Sequence, residues 1–130
     1  MDTDIQIVFD AERPVYEAGE TIAGRIEFGT YPSLAVKQVE VSVLWHTMGK
    51  GDEDSGVILF ETFLQDGELS ASTVLPFGVQ LPPLPVSYDG VLLKIHWLVR
   101  VRVFPRRGPS FGSETRFQVV SPASEFATGW

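Results

Sequence analysis

The chain has 130 residues, of which 44% are hydrophobic and 21% charged, with a net charge of −7, no cysteine and two histidines. That is one ordinary domain's worth of globular sequence, and no apolar run approaches the roughly 18 residues a membrane span needs. The missing cysteines exclude disulfides, thiolate metal sites and a thiol nucleophile. The acidic balance argues against a duplex nucleic-acid partner, which calls for a basic footprint.

The first ten residues, M-D-T-D-I-Q-I-V-F-D, are acidic and hold neither a basic nor a long apolar segment. They do not read as a signal peptide, and a cytoplasmic location is expected. Ile5, Ile7 and Phe9 alternate with polar neighbours to give a first strand. Pro14 interrupts it and Ala18-Gly19-Glu20 signals a turn. From Thr21, the set Ile22, Gly24, Ile26 and Phe28 shares one face, and a glycine inside that strand implies a bulge or a close backbone approach. Val39, Val41, Val43 and Trp45 then alternate with Gln38, Glu40, Ser42, Leu44 and His46, the clearest half-buried strand of the chain.

G-K-G-D-E-D-S-G, residues 49–56, reads as a polar hairpin loop. Residues 57–64 form a strand whose facing is ambiguous, because both of its sets contain large apolar side chains. Asp66-Gly67 predicts a tight hairpin turn. Residues 69–81 hold the next strand or two, with Pro76 confining part of it to an edge or a bend. Across 75–104, two extended elements flank a non-helical bend with three prolines and an S-Y-D-G turn, so this stretch crosses from one layer of a sandwich to the other. Its second half places Leu93, Ile95, Trp97, Val99, Val101 and Val103 on one face and Lys94, His96, Leu98, Arg100 and Arg102 on the other. Phe117 and Val119 share a face of the last strand, and residues 121–130 read as a tail. Seven or eight short strands at roughly ten-residue spacing, with no helical periodicity, predict an all-β fold. The architecture expected is an antiparallel, immunoglobulin-like β-sandwich over residues 1–120, with Trp45 and Trp97 turned into its core.

Several segments bear a family comparison. V-Y-E-A-G-E-T-I-A-G-R-I-E-F (15–28) resembles the second-strand region of the arrestin-like fold. V-L-W-H-T-M-G-K-G-D-E-D-S-G-V (43–57) resembles the strand–loop–strand that forms the central exposed loop of the arrestin N-terminal domain. L-P-F-G-V-Q-L-P-P-L-P-V-S-Y-D-G (75–90) is similar to the L-P-F-x-F-x-L-P…L-P-x-S-x-x-G pattern of arrestin-domain-containing proteins, and I-H-W-L-V-R-V-R-V-F (95–104) to the strand that follows it. The resemblance implies an arrestin N-terminal-domain-like sandwich, a single-lobe and prokaryotic member, and a protruding loop at 49–56 that probes a partner. Arrestins that sense phosphorylated receptors carry adjacent lysines in the first strand. Residues 2–10 here are acidic, so that route to phosphate sensing is not implied.

Catalytic and metal motifs are thin. No G-x-S-x-G is present. His46 and His96 share the polar face of two strands, yet two histidines without a third ligand are weak grounds for a metal. Asp52-Glu53-Asp54-Ser55-Gly56 lacks the later acceptors of a calcium loop, with Phe63 at its twelfth position. The 49–51 G-K-G lacks the helix of a phosphate loop. No enzyme activity and no cofactor are expected.

The charge is distributed unevenly. Residues 1–90 carry 4 Lys/Arg and 15 Asp/Glu, whereas residues 91–130 carry 6 and 2. Lys94, His96, Arg100 and Arg102, with Arg116 on the next strand, form a basic face. Successive outward cations on a strand lie about 7 Å apart, a spacing that suits carboxylates or phosphates. Pairing with Glu40, Glu61 or Glu114 would instead leave that face neutral and only modestly stabilised. The sequence therefore points to a non-catalytic interaction or scaffold module. Its protein partner would meet the loop residues Lys50, Asp52, Glu53 and Asp54 and this basic face. A small-ligand sandwich for a sugar or an anionic metabolite is the alternative. Leu44 and Leu98, expected exposed on the same face, and the edge strands also offer a homodimer contact.

Overall fold

The computed structural model describes residues 5–29, 33–50 and 53–122. The acidic residues Asp2 and Asp4, Asp52 of the hairpin and residues 123–130 of the expected tail lie outside the described residues. Ten strand segments follow one another: β1 (Ile5–Phe9), β2 (Val15–Glu17), β3 (Thr21–Phe28), β4 (Leu34–Gly49), β5 (Ser55–Phe63), β6 (Glu68–Leu69), β7 (Val74–Gln80), β8 (Tyr88–Asp89), β9 (Leu93–Pro105) and β10 (Phe111–Val120). Strands β1, β3 and β7 form one sheet in that order. The other runs β2-β10-β9-β4-β5, with β6 beside β4 and β8 beside β9. The described residues are all-β, and the 75–104 stretch passes from β7 in the smaller sheet to β9 in the larger.

The alternation read from the sequence sets the core. Val39, Val41 and Val43 of β4 lie opposite Val103, Val101 and Val99 of β9, and Trp45 lies opposite Trp97. All six valines and Trp97 are fully buried. β-branched side chains suit this pleated surface, since they lose little freedom there and pack against cross-strand neighbours. The smaller sheet answers with Ile22, Ile26 and Phe28.

An aromatic seam joins the two sheets. Phe117 of β10 lies 5.8 Å from Phe9, 5.9 Å from Tyr16 and 5.8 Å from Trp97, centroid to centroid. Phe9 in turn meets Phe77 of the smaller sheet edge-on at 6.1 Å. Gly24 makes this possible. A Cβ there would collide with the Val8 carbonyl oxygen and stand 2.7 Å from the Phe77 ring, so the close approach expected from the sequence is present.

The structure corrects or resolves the sequence reading at several points, beginning with ten strand segments among the described residues where seven or eight were expected. Asp66-Gly67 does not turn a hairpin. Leu64 and Asp66 both adopt left-handed backbone angles, and the Gly67 N–H donates to the Leu64 carbonyl at 3.0 Å. That single turn kinks the chain without reversing it, so β6 carries on along the same side of β4 as β5. The pairing is also not antiparallel throughout, because β2 runs parallel to β10. The chain passes from β1 in one sheet to β2 in the other across a short link containing Pro14. The ambiguous facing of β5 has its cause in a bulge, where the register with β4 shifts between Val43 and Leu44. Ile58 and Leu59 both pack toward the core in consequence, while Val57 and Phe60 remain 59% and 57% exposed.

Phe117 packs on aromatic rings from three other strands, so Phe117→Ala is expected to cost about 3–5 kcal/mol, read as a lower urea midpoint. Tyr16 behaves oppositely. Its hydroxyl is buried toward the Ala11 backbone but beyond hydrogen-bond geometry. Tyr16→Phe removes a polar group that has lost water without gaining a partner. It is expected to leave the midpoint unchanged or raise it.

Candidate functional site

The outward face of the larger sheet is built by register. On β4 and β9 the opposed pairs are His46–His96, Leu44–Leu98, Ser42–Arg100 and Glu40–Arg102. Strand β10 adds Arg116 beside Leu98, Glu114 beside Arg100 and Gly112 beside Arg102. His96, Arg100, Arg102 and Arg116 thus share one surface, as the alternation predicts, and Lys94 continues the same row of β9.

Leu44 and Leu98 do not present the exposed apolar patch expected of them. They are 5% and 2% exposed. Each packs opposite the other on the face, bracketed by the paired histidines on one side and by Ser42 and Arg100 on the other. Long polar neighbours cover small apolar ones when their stems lie along the surface. The apolar area left open lies instead on β5, at Val57 and Phe60.

The basic residues differ in how far they are neutralised. Arg100 donates from Nε to Glu114 Oε2 at 2.7 Å. The Lys94 ammonium is 3.4 Å from Asp89. Arg102 lies 5.4 Å over the Phe104 ring, and Glu40 accepts from Gln38 rather than from Arg102. Neither Arg102 nor Arg116 has a carboxylate at salt-bridge distance among the described residues.

Arg116 instead meets His96. One terminal guanidinium nitrogen is 3.0 Å from Nδ1 and 3.1 Å from Nε2. Near-equal approach to both ring nitrogens places the cation over the imidazole, where an in-plane bond would single out one lone pair. The His46 and His96 rings stand edge to face at 5.8 Å. Partial burial, and then the adjacent Arg116 and His46, lower the His96 pKa below the ordinary histidine value.

The hairpin between β4 and β5 adjoins this face. The Asp54 N–H donates to Thr47 Oγ1 at 2.7 Å, and the Thr47 N–H donates to the Asp54 carbonyl at 2.8 Å. Asp54 and Glu53 come alongside His46 and Arg100 in a shallow depression, while Lys50 is exposed at the tip. The loop and the face named from the sequence are therefore contiguous. Among the described residues no group of three His, Asp or Glu could hold a metal ion.

A cleft beside the face has no counterpart in the sequence reading. It lies between β2, β8, β9 and β10, with a volume of about 360 Å³, and Tyr88 and Gln118 line it together with His96 and Arg116. The signal available was the S-Y-D-G segment, which shows a turn but not which strand it docks on.

No family model matches the sequence, and no curated protein matches it. Among solved structures, the fold is similar to Spo0M, the sporulation control protein of Bacillus subtilis, at 14% identity with a TM-score of 0.59. The match covers 92% of this chain and 49% of that one, so the chain spans about half the length of Spo0M. This likeness supports an arrestin-like fold.

The lowered His96 pKa has a defined consequence for stability. Between the folded value and the unfolded value of about 6.5, the unfolded chain binds the extra proton. The stability present above about pH 6.5 is therefore lost as the pH falls toward the folded value. Urea midpoints measured across that range are expected to drop, and His96→Gln is expected to flatten the drop.

Proposed function

We propose that the chain is a non-catalytic interaction or scaffold module with the arrestin N-terminal-domain-like, immunoglobulin-like form of sandwich, acting in the cytoplasm of a prokaryote. It engages a protein partner through the 49–56 hairpin, with Lys50, Asp52, Glu53 and Asp54, and through the face formed by Lys94, His96, Arg100, Arg102 and Arg116. The observation that carries this reading is a pair of guanidinium groups, on Arg102 and Arg116, without a carboxylate partner among the described residues, on a molecule of net charge −7. Surface charges left unneutralised within the fold are available to steer and orient an acidic partner. The non-catalytic part rests on the sequence, which lacks a thiol and a recognisable nucleophile motif. The fold likeness to a protein titled as a sporulation control protein is in keeping with a regulatory role. The exposed Val57 and Phe60 on β5, an edge strand of the larger sheet, add apolar area next to the charged face. An uncovered edge of this kind is where a partner strand or a second copy joins.

Immobilised protein is expected to capture a specific partner from native lysate, with capture weakening as salt rises. Lys50→Glu combined with Arg102→Glu is expected to reduce that capture at least roughly tenfold. Undiminished capture by the double variant would remove the face from the reading.

A further inference from the structure

The cleft arises where the larger sheet forks. Strand β10 pairs with β9 as far as Phe117 opposite Trp97, then leaves it and pairs with β2, Gln118 opposite Val15. Beyond that point β4 still occupies one side of β9, at Thr47–Ile95 and Met48–Lys94. Strand β8 takes the side that β10 has vacated, Tyr88 opposite Ile95 and Asp89 opposite Lys94.

Ser87 ties the fork together. Its N–H donates to the Val119 carbonyl at 2.8 Å, and its Oγ accepts from the Val119 N–H at 2.9 Å. Beneath it, Trp97 Nε1 donates to the Pro85 carbonyl at 3.0 Å. The opening is therefore framed on both sides by hydrogen bonds to strands of the core.

Its lining is of two kinds. Val15, Ile95 and Phe117 give an apolar floor, while Tyr88, His96 and Arg116 stand around it. A volume of about 360 Å³ lies at the lower end of the range for small-molecule pockets. One terminal nitrogen of Arg116 lies against the His96 ring, and the guanidinium has no carboxylate at salt-bridge distance among the described residues, which leaves its other N–H donors available. Among the described residues the one carboxylate lining the cleft, on Asp89, lies 3.4 Å from the Lys94 ammonium. An apolar floor with one unneutralised guanidinium at its rim matches a ligand with a flat apolar body and a single anionic head.

We propose that this fork binds a small organic anion, a carboxylate or phosphate ester, with its head on Arg116 and His96 and its body on Phe117 and Val15. The proposal shares His96 and Arg116 with the protein-contact face, but it rests on the geometry of the fork, which that reading does not use. A bound anion favours the imidazolium form of His96, so binding takes up a proton and strengthens as the pH falls into the lowered range in which His96 titrates. The titratable and charged groups facing His96 are Arg116, His46, Asp89 and Lys94. Of these only Asp89 is acidic.

Titration of the full chain with benzoate, phenyl phosphate and the neutral isostere benzamide, followed by amide and histidine-ring NMR shifts, tests this. Benzoate or phenyl phosphate is expected to give saturable shifts centred on residues 95–97 and 116–118, with a Kd on the order of millimolar for so small a probe. The tighter of the two identifies the preferred head. Arg116→Gln, at an exposed position, is expected to weaken binding about tenfold or more, whereas the Lys50→Glu/Arg102→Glu variant is expected to bind as the parent does. Benzamide matching benzoate, an Arg116→Gln variant with parental affinity, or no saturable shift with either anion would each overturn the proposal. Loss of partner capture with benzoate binding intact would bear only on the protein-contact face.

Discussion

The aromatic seam centred on Phe117 is the constraint on which the rest of the structure depends. A two-layer β fold must bury one face of each sheet, and its layers hold a fixed relation only where large side chains interdigitate. Here the smaller sheet sends Phe9 and Phe77 toward the larger, and the larger returns Tyr16, Trp97 and Phe117. Edge-on and tilted rings at 5.8–6.2 Å stabilise one another beyond their buried area. The seam needs room on β3, and Gly24 provides it by having no Cβ to meet the Phe77 ring. The valine ladders of β4 and β9 then extend the same core away from the seam.

The outward face inherits its order from this interior. Alternation places His96 and Leu98 on either side of the buried Trp97, and Arg116 and Gln118 on either side of the buried Phe117. Position is therefore fixed by the core, while charge is decided by cross-strand neighbours. Exposed pairs such as Arg100–Glu114 contribute little to stability. Their effect is on specificity, since they remove one cation from the face and leave Arg102 and Arg116 as the groups that present net positive charge. A face that looks uniformly basic along the sequence of β9 is thus a graded one once β10 is laid beside it.

Much of the fold was legible because period-2 alternation translates directly into inside and outside. The Val39–Trp45 and Ile95–Val103 sets, the edge position of Pro76 and the close approach at Gly24 all follow from local rules. What the sequence did not disclose depends on neighbours or on backbone angles. Asp66-Gly67 carries a hairpin signal, yet left-handed angles fell on Leu64 and Asp66, and the chain kinked where a reversal was expected. The bulge in β5 puts Ile58 and Leu59 on one face, which strict alternation forbids. Leu44 and Leu98 fell on the polar sets, but their cover comes from side chains on adjacent strands. The cleft was the least legible feature, because it requires knowing that β10 abandons β9 and that β8 replaces it.

That replacement also explains why the two parts of the surface differ in character. At the base of the 49–56 hairpin, Thr47 and Asp54 are bonded to one another within one strand pair. The fork is fastened by Ser87 to β10 and by the Trp97 indole to Pro85, so its geometry is shared with the hydrophobic core. Binding groups held on strands that pack into a core keep their spacing better than groups carried on a loop. The backbone at Arg116 keeps its place relative to the cleft, because the next residue, Phe117, both lines the cleft and forms the centre of the aromatic seam. The surface thus has one end held by bonds local to a single hairpin and another end anchored in the hydrophobic core.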